Sequence, residues 1–350
     1  MTPRARLTVL LLGGSVLAGC AGLGSSRTDD PLYLSPAGRD SAQCTREHPC
    51  RTLNGALRRA AAGGEIRLLS GRYPDQDVNA TPGGGDPILV RGADGAHVRV
   101  GVLTITGQGL ELRGLRLAGW HAVQGAERLT FRDVHTSWFF VDSVSDLRIL
   151  GGTVGPADSV DSQIRATDTR GAPVPRNILI DGVTFRDFTA RKNPAVHVEC
   201  LQFGAGEHVV VRRSTFRNCA THAVFVRSWG GTARVRDFTF ENNRFGLVPG
   251  GYYSLRVVNS EPGTISHIMV RDNSATTTMQ VDDGIPGVSF VGNLAPRAPW
   301  QCFADQRYRG NVWSAVRCGA TDRQVGERVV AVAARDHHRR TGARGLAARG

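Results

Sequence analysis

A short segment recurs along the chain and restricts the architecture more than any single motif does. In register, the copies are Leu110 to Leu117 (LELRGLRL), Leu129 to Thr136 (LTFRDVHT), Leu147 to Val154 (LRILGGTV) and Ile178 to Phe185 (ILIDGVTF). They continue with Val209 to Phe216 (VVVRRSTF), Phe238 to Phe245 (FTFENNRF), Ile268 to Ala275 (IMVRDNSA) and Val288 to Ala295 (VSFVGNLA). Each opens on an apolar residue, repeats one two positions later, then meets a position dominated by Gly, Asp or Asn. Alternation with period two marks short strands, and self-similarity every 20 to 30 residues or so marks a solenoid. One such unit alone cannot bury its apolar side chains, whereas stacked copies about 4.8 Å apart can. The pattern predicts an all-β fold, a parallel β-helix.

The first residues read differently. Arg4 and Arg6 precede an apolar run from Leu7 to Leu17, and Leu17-Ala18-Gly19-Cys20 follows. A basic start, a short apolar stretch and small residues before a cut describe an export signal. The run is well short of the roughly 20 residues of a membrane-spanning helix. Leu-Ala-Gly before cysteine resembles the bacterial lipobox, which implies that Cys20 is lipidated and begins the mature chain. Residues 1–19 are then the signal, and 20–31, rich in Gly and Ser, are a flexible tether. The expected address is the cell envelope, outside the membrane, held only by the lipid.

Six further cysteines remain: Cys44, Cys50, Cys200, Cys219, Cys302 and Cys318. An even number in an exported chain favours disulfides over metal, and sequence leaves roughly 15 pairings open. Nearest-neighbour pairing is preferred because each pair then stays within one local unit. No CxxC spacing or zinc-type His pair accompanies them, and no cofactor is indicated.

Net charge is +12 with a pI of about 10.2, and Lys192 is the only lysine among 43 basic residues. Two readings stand side by side: an anionic polymer partner, or the Arg bias of a GC-rich coding sequence. The arginines look scattered over the repeats. An envelope address makes nucleic acid an improbable partner and polysaccharide a sensible one; a monomer is expected.

Along the chain, Thr52 to Ala62 carries apolar residues at helical spacing (Leu53, Ala56, Leu57, Ala60), with Thr52 as cap and Gly63-Gly64 as stop. Such a helix would cover the open end of a solenoid. YLSPAGRD, PCRTLNGAL and GGEIRLLSGRY resemble the N-terminal signature of secreted bacterial right-handed parallel β-helix proteins of the pectin-lyase-like superfamily. With the repeats, the resemblance covers roughly residues 32–319. It implies the right-handed fold and leaves activity open, because that fold hosts lyases, hydrolases, epimerases and non-catalytic adhesins. Residues 155–176 read as a loop excursion, residues 300–319 as a final cap, and the basic tail 320–350 as disordered.

From Ile178 onward a second strand enters each coil: HVECLQF (197–203), HAVFVRS (222–228), SLRVVNS (254–260) and TMQVDDG (278–284). With Val198 and Cys200 inward, His197, Glu199 and Leu201 face outward, near His222, Arg256, Gln280 and Asp282. Gln202, Arg227, Asn259 and Asp283 then align at the strand ends. A one-residue slip would exchange the two faces. HVECLQ resembles a recurrent H-x-[DE]-x-x-Q element of bacterial β-helix proteins. In one reading Glu199 pairs with an arginine while His197 and Gln202 satisfy turn backbone. In the other these residues line a saccharide groove, with Glu199, His197 and His222 as catalytic candidates and Gln202, Arg227, Arg256 and Asp282 as substrate contacts.

Inverting hydrolysis needs carboxyls roughly 6.5 to 9.5 Å apart, which Glu199 with Asp161 or Asp142 would suit. β-Elimination of a uronate would use His197 or His222 as base and Arg227 or Arg256 as clamp. Pectate lyases of this fold typically use calcium held by several aspartates, and no such cluster is evident. The function expected is polysaccharide binding with lyase or glycosidase cleavage; the alternative is non-catalytic surface binding or scaffolding. Trp120, Trp138 and Trp229 are candidate sugar platforms, His337-His338 a weak metal candidate, and Asn243, Asn273 and Asn293 a structural ladder.

Overall fold

Parallel strands need a crossover connection between them, and in a repeating pattern the rest of each coil supplies it, so successive copies stack as turns. In the computed structural model the described residues are 30–79, 85–166, 172–229, 233–246, 248, 253–296, 299, 301–314 and 317–326. Cys20, Trp300, the His337-His338 pair and most of the tail lie outside them. All strand pairings among the described residues are parallel, and the chain winds as a right-handed parallel β-helix with three faces.

The first face is a 12-stranded sheet running from Leu32–Leu34 to Arg307–Arg309. Every recurring segment contributes its opening strand to it. Leu110, Leu129, Leu147, Ile178, Val209, Phe238 and Ile268 are successive Cα partners, the register in which the repeats align. The second face follows after a tight turn, from Gly71–Tyr73 to Arg323–Gln324. The third runs from Gln76–Val78 to Thr278–Val281.

The turn between the first two faces explains the fifth position of the repeat. Gly114, Asp133, Gly151, Gly182, Arg213, Asn242, Asp272 and Gly292 all have positive φ, between 50° and 69°. Gly, Asn and Asp tolerate that conformation; Arg213 is the exception. In-register stacking also places like side chains over one another in the core. Phe185 and Phe216 stack with centroids 4.7 Å apart, and Phe216 and Phe245 follow at 5.2 Å. Each such inward side chain contributes roughly 1.5–3 kcal/mol by leaving water.

Just inside the second face, an amide ladder runs up the core. Asn243 donates to Asn273 (3.1 Å), Asn273 to Asn293 (3.0 Å), Asn293 to Asn311 (2.9 Å) and Asn311 to Asp322 (3.1 Å). Asn311 and Asp322 extend the three expected members. Asp322 also accepts from the Trp313 indole and from Gly319, which carries the last turn beyond the expected boundary at 319.

At the other end, Thr52 caps a helix limited to Leu53–Leu57, whose Leu53, Ala56 and Leu57 are buried. It stops short of Ala62 because the chain is drawn back to the coil, the Gly63 N–H donating to Asp86 (2.8 Å). The loop excursion expected at 155–176 is interrupted by a third-face strand, Gln163–Arg165. The cysteines pair as sequence neighbours: Cys44–Cys50, Cys200–Cys219 and Cys302–Cys318. Together the bonds agree with an exported protein.

Candidate functional site

The segment carrying Glu199 is not a strand. Residues 191–200 are irregular, and the strand begins only at Leu201–Phe203. Val198, Glu199, Cys200 and Leu201 are therefore all buried in succession, which alternation cannot produce. Ladder bonds are replaced by local ones. The Glu199 N–H donates to the Asp161 carboxylate at 3.0 Å, Cys200 N–H to the His222 carbonyl at 3.2 Å, and Val198 N–H to the Thr221 hydroxyl at 3.0 Å. The expected register is thus shifted: Leu201 points into the core instead of outward. Gln202 joins the outer column instead of the strand end, paired with Gln163 below and Phe225 above.

That outer column frames the candidate site. Its members are His121, Phe140, Gln163, Gln202, Phe225, Arg256 and Gln280, each the Cα partner of the next. Amides, aromatic rings, an imidazole and a guanidinium follow one another along one sheet face, with Gln202 and Gln280 mostly covered. Gln163 donates to both Asp161 and Gln202 at 3.2 Å, so the column is tied directly to the carboxyl pair behind it.

Glu199, 2% exposed, hydrogen-bonds to Asp161. Burial, then the charge and hydrogen bond of Asp161, push its carboxyl up to about 8. Asp161 is raised as well, chiefly by burial. The pair therefore holds a proton at neutral pH. Beside it, His197 is exposed and His222 is 7% exposed, their rings edge to face at 6.4 Å. Burial and then His197 push His222 down to about 4, so it is neutral at pH 7. Its ring stacks on Phe225 and meets Tyr253 edge-on.

Further along, Arg256 lies over the Tyr253 ring and pairs with Asp282, which also accepts from Asn259 N–H. Exposed Arg227 lies over Trp229 at 5.6 Å. Two coils before Glu199, buried Asp142 accepts from His121 (2.7 Å) and Arg165 (2.6 Å). Burial works to raise Asp142, but these two donors win and hold it below the usual carboxylate range. His121 and Arg165 carry no local sequence signal; only the register of Trp120–Ala122 with Phe139–Val141 brings them to Asp142.

Three sequence expectations need correction. Glu199 does not pair with an arginine; its partner is Asp161. Because these carboxyls bond to each other, they are too close for the separations that glycoside hydrolysis needs, roughly 5–5.5 Å for retention and more for inversion. Trp120 is no sugar platform either, being stacked in the core between Phe131 and Phe139. Among the described residues no three His, Cys, Asp or Glu side chains converge as a metal site.

The Cys200–Cys219 disulfide anchors this irregular segment, closing a 19-residue loop. Replacing both cysteines with alanine is expected to lower stability by about 3 kcal/mol, from loop entropy alone. A urea midpoint equal to that of the parent would show that the bond is dispensable.

No family model matches the chain. Over 111 residues it is 32% identical to the uncharacterized protein YwoF of Bacillus subtilis (strain 168), a match to 31% of this chain and 23% of that protein. The chain thus matches less than a quarter of that relative's length. Among solved structures, pectate lyase Pel9A aligns with TM-score 0.48 and 12% identity over 84% of this chain and 78% of its own. The complex of XylC with xylose aligns with TM-score 0.47 and 10% identity over 81% and 75%. A rhamnogalacturonan lyase aligns with TM-score 0.46 and 15% identity over 85% of both.

Proposed function

We propose that this chain is an exported, Cys20-lipidated envelope protein that binds a polysaccharide along its third face. The observation that carries this is the outer column from His121 to Gln280. Amide and guanidinium groups suit sugar hydroxyls, and the rings of Phe140 and Phe225 suit the apolar faces of sugar rings. A regular row of such groups, one per coil, matches a linear polymer better than an isolated small molecule.

A second reading is favoured by the proton held between Asp161 and Glu199 beside exposed His197. Elimination from a uronate needs a base to take the proton next to the carboxyl and an acid to protonate the departing oxygen. His197 is the base in this reading, Glu199 the acid, and Arg227 the clamp, since Arg256 is engaged by Asp282. His222 is a poor proton carrier near neutrality because its proton affinity is depressed.

A panel of neutral and uronic-acid polysaccharides tests both readings. Affinity electrophoresis should show retention by at least one polymer, weakened about tenfold or more by Phe225→Ala with Gln202→Ala, a loss of at least ~1.4 kcal/mol. Ultraviolet absorbance from unsaturated products, abolished by His197→Ala and by Glu199→Gln, would establish cleavage. Retention untouched by the column variants would overturn the binding site.

A further inference from the structure

The arginines that look scattered in sequence are sorted by the coil into columns, and the columns differ. On the first face Arg67, Arg91, Arg113 and Arg132 are successive partners, and Arg212 and Arg271 lie further up the same column. Carboxylates accompany them: Glu65 pairs with Arg67 and Arg91, Glu111 with Arg113 and Arg132, Asp181 with Arg212 and Glu241 with Arg271. Each of these arginines has a carboxylate partner.

On the second face Arg72 and Arg99 are direct partners, and Arg116 follows on the next coil, just before Leu117, the partner of Val100. All three are exposed, and among the described residues none has an ion pair. Their column continues through His135 and three threonines to Arg244. Arg186 and Arg217, partners of each other, flank it. The three arginines and Arg186, itself paired with Asp187 at 2.7 Å, border a groove of about 670 Å³ lined also by Leu117 and Ala118, with Asp75 the one carboxylate among its lining residues. Asp75 is engaged in accepting the Val102 N–H at 2.7 Å.

Like charges one strand spacing apart, about 4.8 Å, repel, and these exposed side chains serve no packing role in return. Codon bias accounts for arginine in place of lysine. It does not account for an ion-pair partner at each of Arg67, Arg91, Arg113, Arg132, Arg212 and Arg271 and, among the described residues, at none of Arg72, Arg99 and Arg116. We propose that this second-face strip is a separate binding site for a linear polysaccharide carrying a carboxylate on successive sugars. The guanidinium fork accepts a carboxylate in bidentate fashion, and one fork per coil presents a periodic row along the long axis. Three disulfides place the chain in an oxidising, exported setting, which favours glycan over nucleic acid. The strip does not depend on the third-face reading, since it shares no residue with that column.

Calorimetric titration with polygalacturonate, with dextran as neutral control, tests the strip. The parent should bind polygalacturonate, lose affinity as salt rises, and ignore dextran. Arg72→Ser/Arg99→Ser/Arg116→Ser should weaken binding about tenfold or more, and Arg99→Gln alone about threefold, as expected for lost charge-assisted contacts. Arg113→Ser/Arg132→Ser/Arg212→Ser removes the same charge from the carboxylate-paired column and should change affinity by less than about twofold. Equal losses from the two triple variants would reduce the effect to net charge and overturn the strip. So would no binding at all, equal competition by duplex DNA, or a loss confined to Phe225→Ala, which would assign the polymer to the third face.

Discussion

Asn273→Ala is expected to destabilise the fold by about 4 kcal/mol, among the largest single-residue effects available in this chain. The Asn273 carbonyl oxygen accepts from both the backbone (2.9 Å) and the side-chain amide (3.1 Å) of Asn243. Its own amide donates to the Phe240 carbonyl (2.9 Å) and to Asn293 (3.0 Å). The site is 1% exposed, so water cannot replace what is removed. Truncation leaves the Asn243 N–H and the Phe240 carbonyl buried without those partners, at roughly 1–3 kcal/mol each. The surviving side-chain bonds cannot compensate, because each neighbouring asparagine is held by the coil beyond it. Thr239→Ala, on the outward side of an adjacent strand, should change stability by no more than about 0.5 kcal/mol. Urea denaturation of the two variants decides the matter; equal midpoints would mean that the ladder is ornamental.

The same ladder shows how far the sequence could be read. Asn243, Asn273 and Asn293 occupy one position of a regular repeat, so their stacking follows once the register of the first face is known. Asn311 follows a first-face strand, Arg307–Arg309, that has lost the apolar pattern, and Asp322 lies beyond the last first-face strand, so only the structure adds them. The first face is legible because every inward side chain there is large and apolar, which makes a one-residue slip costly. The third face is not, for two reasons. Pro194 and the irregular stretch to Cys200 break alternation just where Glu199 sits, so counting outward from Val198 puts Leu201 on the wrong side. Polar pairs such as Asp161–Glu199 and Asp142–Arg165 are also separated by 38 and 23 residues, with no local signal linking them. The arginines illustrate the converse: spacing that follows coil length looks random in one dimension and becomes a column in three.

Glu199→Gln is expected to make the protein more stable than its parent in alkali, by a few kcal/mol, and nearly equal to it in acid. Proton linkage sets the sign. In the unfolded chain a glutamate loses its proton near 4.5, whereas burial and Asp161 keep Glu199 protonated in the fold up to about 8. Between those values the folded state binds the extra proton, so stability falls as pH rises through this window. Each tenfold gain in proton affinity is worth about 1.4 kcal/mol, and the rise from 4.5 to about 8 contains several such factors. Asp161, also raised, adds to the same limb, and the two carboxyls titrate as a pair. Glutamine is nearly isosteric and never ionises, so the variant leaves Asp161 without a like-charged neighbour and removes most of the alkaline loss. His222 acts in the opposite direction. Its folded value near 4 lies below the ordinary 6.5, so its contribution is complete above 6.5 and lost as pH falls towards 4. The two windows overlap between 4.5 and 6.5, where the opposing slopes largely offset, so the parent should change little there and lose stability above 6.5; Glu199→Gln should flatten that alkaline loss and expose the His222 loss below 6.5. Urea midpoints measured from pH 4 to 9 would reveal this; curves for the two proteins that run parallel throughout would mean that Glu199 ionises freely and that no proton is stored beside His197.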